Sequence, residues 1–263
     1  MFVYPEFDPV ALALGPLQIR WYGLMYLVGI AAGWYLLRWR AAKPGSGWTL
    51  QKIDDLVFVS VIGVIVGGRV GSKLFYDLDA WLVDPLSIFE IWKGGMSFHG
   101  GLLGVAVAML YFGRKNKIGF FLIADMVVPV VPLGLGAGRI GNFINGELWG
   151  KVTDMPVGFL VNGEIRHATQ LYEFLLEGVV MFAVLWWLSS TPRPRMLVSG
   201  MFALLYGVFR FLVEFVRMPD AHIGYLAGGW LTMGQVLSLP LLALGLVLVV
   251  LALRGNNTPE VKA

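Results

Sequence analysis

The sequence predicts an all-α polytopic membrane protein of about seven transmembrane helices. Its N-terminus is expected outside, its C-terminus in the cytoplasm, and a small head on the outer side. Three observations predict this. Hydrophobic residues make up 57% of the 263 and charged residues only 14%, where a soluble domain carries about a quarter charged. Apolar runs long enough to span recur at roughly 21–38, 53–72, 97–113, 119–138, 171–189, 198–216 and 232–253. Basic residues cluster in alternate connections, which sets orientation by the positive-inside rule.

The first twenty residues, with Pro5, Pro9 and Pro16 and no basic start, read as an N-terminal surface arm rather than a cleavable signal. Residues 21–253 form a single bundle, with an outer head at about 146–170, and 254–263 form a cytoplasmic tail. Arg38, Arg40 and Lys43 follow the first run, Arg114, Lys115 and Lys117 the third, Arg193 and Arg195 the fifth, and Arg254 and Lys262 lie in the tail. These mark the cytoplasmic side. Prolines 129 and 132 in the fourth run need neighbours to satisfy the carbonyls they free. The loop Phe75–Gly95, with Trp81 and Trp92 among three aspartates, is expected along the outer interface. The segment Val161-Asn162-Gly163-Glu164 suggests a hairpin in the head.

Composition excludes several chemistries. With no cysteine there are no disulfides, thiolate ligands or cysteine nucleophile, and three histidines leave no multi-histidine metal site. A net charge of +3 without a basic run argues against nucleic acid. Neither metal nor cofactor is expected.

The chain is organised around Gly134 to Gly150, GLGAGRIGNFINGELWG, which holds Arg139, Asn142, Asn145 and Glu147. A cation at membrane depth is costly, by about 3 kcal/mol on insertion scales, so such residues usually face a cavity and act there. Small-residue packing with Arg139 snorkelling is the alternative. Arg210, Glu214 and Arg217, with Tyr206 one turn earlier, share a helix face. They read as a structural ion pair, or Arg210 joins Arg139 as two guanidiniums able to clamp a phosphate.

His99 lies among four glycines, which leaves an imidazole accessible for proton transfer from a thiol or hydroxyl. Arg69, in Gly67-Gly68-Arg69-Val70-Gly71, is either a third cation or a packing device. His167, Gln170, Tyr172 and Glu173 bracket the start of span five, and Tyr22 opens span one. The topology places Tyr22, His99, Arg139, Gln170, Glu173 and Arg210 to Arg217 on the outer half. A membrane transporter for an anionic solute is the alternative class, although no paired broken helices accompany these residues. A purely structural bundle would need no such cluster.

Together these motifs resemble the bacterial prolipoprotein diacylglyceryl transferase family over nearly the whole chain. Gly138-Arg139-Ile140-Gly141-Asn142-Phe143-Ile144-Asn145-Gly146-Glu147 is similar to the family signature. Trp21-Tyr22-Gly23, Gly94 to Gly101, Gln170-Leu171-Tyr172-Glu173, Tyr206 to Glu214 and Arg217-Met218-Pro219-Asp220 support it. Ala168 departs from the proline that the family often places after the histidine.

The resemblance implies transfer of a diacylglyceryl group from phosphatidylglycerol to the lipobox cysteine thiol of a preprolipoprotein, releasing glycerol-1-phosphate. It implies a multi-pass monomer of the bacterial inner membrane whose site faces the periplasm and admits lipid and signal peptide laterally from the bilayer. Tyr22, His99, Arg139, Asn142, Glu147, Arg210 and Glu214 are then functional positions. Arg139 and Arg210 would meet the leaving phosphate. His99 would take the thiol proton, unless the arginines lower the thiol pKa and His99 only positions. Asn142 would bind the headgroup or its ester oxygens, while Glu147 and Glu214 would hold the arginines. The catalytic set is thus His99, Arg139 and Arg210. The substrate-binding set is Tyr22, Asn142, Asn145, Glu147, Glu173, Tyr206 and Glu214.

Overall fold

A computed structural model describes residues 1–15, 17–90, 94–219 and 223–255. Pro16, Trp92, Lys93, Asp220, His222 and the tail from 256 lie outside the described residues. Three short strands open the chain, β1 (Phe2–Val3), β2 (Val10–Leu14) and β3 (Leu17–Arg20). Helices follow as α1 (Trp21–Ala41), α2 (Leu50–Tyr76), α3 (Leu78–Val83), α4 (Phe98–Asn116), α5 (Phe120–Val127) and α6 (Val131–Ile144). A hairpin of β4 (Phe159–Val161) and β5 (Glu164–Arg166) precedes α7 (Thr169–Glu173), which runs through a π-helical stretch at Phe174–Val180 into α8 (Met181–Leu188). The last two helices are α9 (Leu197–Val213) and α10 (Met233–Arg254). Each predicted apolar run is therefore helical over most of its length. Thr169–Leu188 and Met233–Arg254 are long and apolar enough to cross a membrane, as is the α5–α6 pair taken as one span. The protein is a mostly helical membrane protein.

The fourth run, predicted as one helix, is broken at residues 128–130. Pro129 lacks the N–H that an unbroken helix needs there and disfavours helical geometry at Val128. Pro132 lies in the first turn of α6, where a missing N–H costs nothing.

The chain divides into two compact units, one of Met1–Leu36 with Asp125–Pro259, the other centred on Leu37–Ala124. In the second unit α2 packs on α4 through glycines. Gly63, Gly67 and Gly71 face Gly100 and Gly104 so closely that a methyl on Gly104 would strike the Gly63 carbonyl, and one on Gly67 the Gly100 carbonyl. Without a hydrophobic force between helices in lipid, such close backbone approach supplies the attraction. Part of the glycine content around His99 thus serves helix packing rather than access to the imidazole.

Arg69 resolves as the packing device. It is 6% exposed, and its donors are spent on backbone carbonyls. Nε donates to Ile88 (2.8 Å), Nη2 to Ser87 (2.7 Å) and Glu90 (3.0 Å), and Nη1 to Gly95 (3.0 Å) and Gly94. The guanidinium therefore holds the connection that leads into α4. Gly94 and Gly95 adopt φ of 78° and 80° there, which side chains with a Cβ rarely tolerate. Ser97 then caps α4, accepting from Gly100 N at 3.2 Å.

In the first unit the predicted hairpin is present, with Asn162 and Gly163 at φ 49° and 84° in its turn. β1 adds in parallel to β4, with Phe2 opposite Phe159, so the start of the chain completes the head's sheet. Met181, Leu185 and Val198 form the buried core of the helices, with Leu135, Phe202 and Phe209 packed around them. Asp125 accepts from Met196 N (2.7 Å) and from Ser199 N (2.8 Å) and Oγ (2.5 Å), satisfying amides at the start of α9.

Candidate active site

The polar residues of the first unit fall into two neighbouring groups, both reached through α6. Gly136 lets α6 meet Gly178 backbone to backbone, with an added Cβ 3.1 Å from the Gly178 Cα. This sets Arg139, one turn later, against the buried acids of the π-helical rod. Arg139 Nε lies 3.1 Å from Glu173 Oε2, and Arg139 Nη2 lies 3.3 Å from Glu177 Oε2.

From α9, Arg210 Nη1 reaches the other oxygen of Glu173 at 2.5 Å, and its Nη2 reaches Glu214 Oε1 at 2.6 Å. Arg217 completes the set, at 3.3 Å from Glu173 Oε1 and 3.4 Å from Glu214 Oε1. Thr232, the cap of α10, donates from Oγ1 to Glu214 Oε2 at 2.5 Å. Tyr206 faces Arg139, Glu177, Arg210 and Glu173 closely enough to feel their charges.

Every carboxylate here is buried, whereas the side chains of Arg139 and Arg210 remain 19% and 18% exposed. Among the described residues Arg139 Nη1 and Arg210 Nε have no partner, so both guanidiniums keep a donor edge for an incoming anion. Buried acids fix the arginines from behind, which is the preorganisation that stabilising a developing negative charge requires.

The second group surrounds Glu147. Glu147 binds neither arginine, contrary to the expectation. Its Oε1 accepts from Asn142 Nδ2 at 2.8 Å and Asn145 Nδ2 at 3.2 Å. The reason lies in the loop that carries it: Gln170 Nε2 donates to the Glu147 carbonyl and Thr169 Oγ1 to the Leu148 carbonyl at 2.6 Å. With Gly146 and Leu148 at φ 67° and 62°, the side chain turns back over the end of α6. Glu214 does hold Arg210, as expected. Tyr22 packs against Gly141, where a methyl would meet its ring at 2.8 Å, and its hydroxyl lies 3.1 Å from that of Tyr26. It stands within electrostatic reach of Glu147 and Arg139.

Beneath the site the head is tied on by backbone. Lys151 N donates to Val216 O at 2.8 Å and Gly150 N to His167 O at 2.8 Å. His167 Nδ1 lies 3.1 Å from the Tyr172 hydroxyl. Burial, and then the Lys151 ammonium, push the His167 imidazole below its ordinary 6.5. His99 belongs to the other compact unit, where it is exposed in the first turn of α4 and edge-on to Phe98 at 5.7 Å.

The prolipoprotein diacylglyceryl transferase family model matches residues 9–251. The chain belongs to that family. The phosphatidylglycerol–prolipoprotein diacylglyceryl transferase of Solidesulfovibrio magneticus is 59% identical over 99% of this chain and all of that protein. The enzymes of the same name from Pseudomonas putida and Pseudomonas fluorescens are 57% and 59% identical, over 100% and 96% of this chain and 99% and 95% of their own lengths. The chain is thus a transferase, and its relatives give no support to a transporter.

Glu177, Arg217, Gln170 and Thr232 belong to these polar groups but are omitted from the sequence-based sets. Glu177 carried a legible signal, an acid one turn beyond Glu173 inside an apolar run. Thr232 carried none pointing to Glu214, because that contact joins separate helices.

Proposed function

We propose that this chain transfers the diacylglyceryl group of phosphatidylglycerol to the lipobox cysteine thiol of a preprolipoprotein, the first step of lipoprotein maturation. The observation that carries the reading is the convergence of Arg139 and Arg210, from different helices, on Glu173 with donor edges left free. Relatives named for this substrate pair, at 57–59% identity, support it.

In the reaction the thiol sulfur attacks the lipid's sn-3 carbon, the carbon–oxygen bond to phosphate breaks, and glycerol-1-phosphate leaves. The phosphate gains negative charge as that bond breaks, and the guanidiniums meet it without metal or cofactor. The thiol proton passes to His99, the base that the family resemblance implies. Asn142, Asn145 and Glu147 bind the headgroup, Tyr22 and Tyr206 line its place, and Glu173 and Glu214 hold the arginines.

The chain works as a monomer of seven spans in the bacterial inner membrane, N-terminus outward, with the site on the periplasmic side. The segment from α3 to Phe89, whose Leu82, Val83, Leu86 and Phe89 are all over two-thirds exposed, lies along the outer interface.

The test is a lipidation assay with detergent-solubilised protein, phosphatidylglycerol and a lipobox peptide. Wild type adds a thioether-linked diacylglyceryl group, while Arg139→Ala and Arg210→Ala insert normally and add none. An unmodified peptide with wild type, or full activity in either variant, overturns the reading.

A further inference from the structure

The charged cluster is balanced as it stands. Three guanidiniums, Arg139, Arg210 and Arg217, face three carboxylates, Glu173, Glu177 and Glu214, whose side chains are 4% exposed or less. A phosphate diester brought onto these arginines adds one negative charge that nothing in the cluster offsets. Leaving a buried charge unpaired costs several kcal/mol, and a buried carboxylate ordinarily answers by taking a proton.

The three carboxylates are not equivalent. Glu173 has a guanidinium on each oxygen. Glu214 has two guanidiniums on one oxygen and the Thr232 hydroxyl on the other. Glu177 has a single contact, Arg139 Nη2 at 3.3 Å on Oε2, and its Oε1 is buried with no partner. The charged and titratable groups facing it are Arg139 from α6, Glu173 from the preceding turn, and Arg210 and Tyr206 from α9. It is the carboxylate least held by cations, and it sits beside a like charge.

We propose that Glu177 keeps this site electroneutral by taking a proton from water as the lipid phosphate binds. Its carboxylate becomes a neutral acid, and Arg139 Nη2 turns from Glu177 to a phosphate oxygen. On product release the acid returns its proton to water and regains Arg139. Glu177 is a positioning residue that acts through Arg139, and the inference rests on the reading of this cluster as the headgroup site.

Calorimetry tests it. Full-length protein in a non-ionic detergent is titrated with short-chain phosphatidylglycerol in two buffers of different ionisation enthalpy. The difference in heat gives about one proton taken up per lipid, and affinity weakens roughly tenfold per pH unit over the titrating range. Glu177→Gln, a neutral isostere, binds the lipid with no uptake and a flat pH profile. Wild-type binding without proton uptake overturns the proposal, as does undiminished uptake in Glu177→Gln. If that variant does not accumulate, the wild-type proton count decides alone. Failure of wild type to bind the lipid at all overturns the headgroup reading instead.

Discussion

Arg139 and Arg210 hold opposite oxygens of one carboxylate. Arg139 Nε is 3.1 Å from Glu173 Oε2, and Arg210 Nη1 is 2.5 Å from Glu173 Oε1. The two guanidiniums come from α6 and α9, and the acid between them sits at the end of α7. One buried side chain therefore sets the spacing of both cations.

Glu173→Gln removes that spacer and leaves Arg139, Arg210 and Arg217 short of one negative charge. Breaking a buried pair from one side costs about 3–5 kcal/mol. Transfer is expected to fall by at least about a hundredfold, the scale of losing one preorganised donor. Thermal unfolding in detergent reads the first effect and the lipidation assay the second. A variant with wild-type turnover would show that the arginines find their places without Glu173.

Arg69→Lys keeps the charge but replaces a planar fork of five donors with three on a flexible stem. The carbonyls of Ser87, Ile88, Glu90, Gly94 and Gly95 cannot all be satisfied by it. Hydrogen bonds to charged groups are worth about 1.5–3 kcal/mol each, so losing even two costs about 3 kcal/mol or more. Amide exchange over residues 87–90 and 94–97 should speed up markedly, with lesser change in the middle of α2. Unchanged exchange would mean that the connection keeps its shape by other means.

Gly104→Ala and Gly101→Ala separate packing from propensity. A methyl on Gly104 drives into the Gly63 carbonyl, whereas one on Gly101 meets Val64 O at an ordinary 3.7 Å. The first should cost about 1–3 kcal/mol or more through overpacking. The second should be neutral or stabilising, since alanine favours a helix over glycine by up to about 1 kcal/mol. Melting temperatures of the two purified variants give the comparison, and equal values would remove the glycine seam as the basis of α2–α4 contact.

How much of this could be read from the chain depends on distance along it. The helices were legible because an apolar run is a local feature of the chain. The grouping of Arg139 with Arg210 was legible because charges are rare in such runs and must find each other. The partner of Glu147 was not, because it is set by Gln170 and Thr169 gripping backbone more than twenty residues earlier in the chain. Nor was the pairing of Phe2 with Phe159, since strand addition leaves no mark in two residues of sequence. Nor was the role of Asp125, which satisfies amides at the start of a helix far along the chain.

His167 makes the junction between head and bundle sensitive to acid. Its backbone accepts from Gly150 N at 2.8 Å and donates to Lys151 O at 3.0 Å, and its ring meets the Tyr172 hydroxyl. Burial and Lys151 depress its pKa below 6.5, so the unfolded junction binds a proton more readily than the folded one. The stability it contributes is therefore fully present above pH 6.5 and is lost as pH falls below that value. Amide protection at Gly150, Lys151 and His167, corrected for intrinsic rates, should drop between about pH 7.5 and about pH 5.5. In His167→Gln, which cannot gain a charge, the drop should vanish. A wild-type junction equally protected at both pH values would remove His167 as its titrating group.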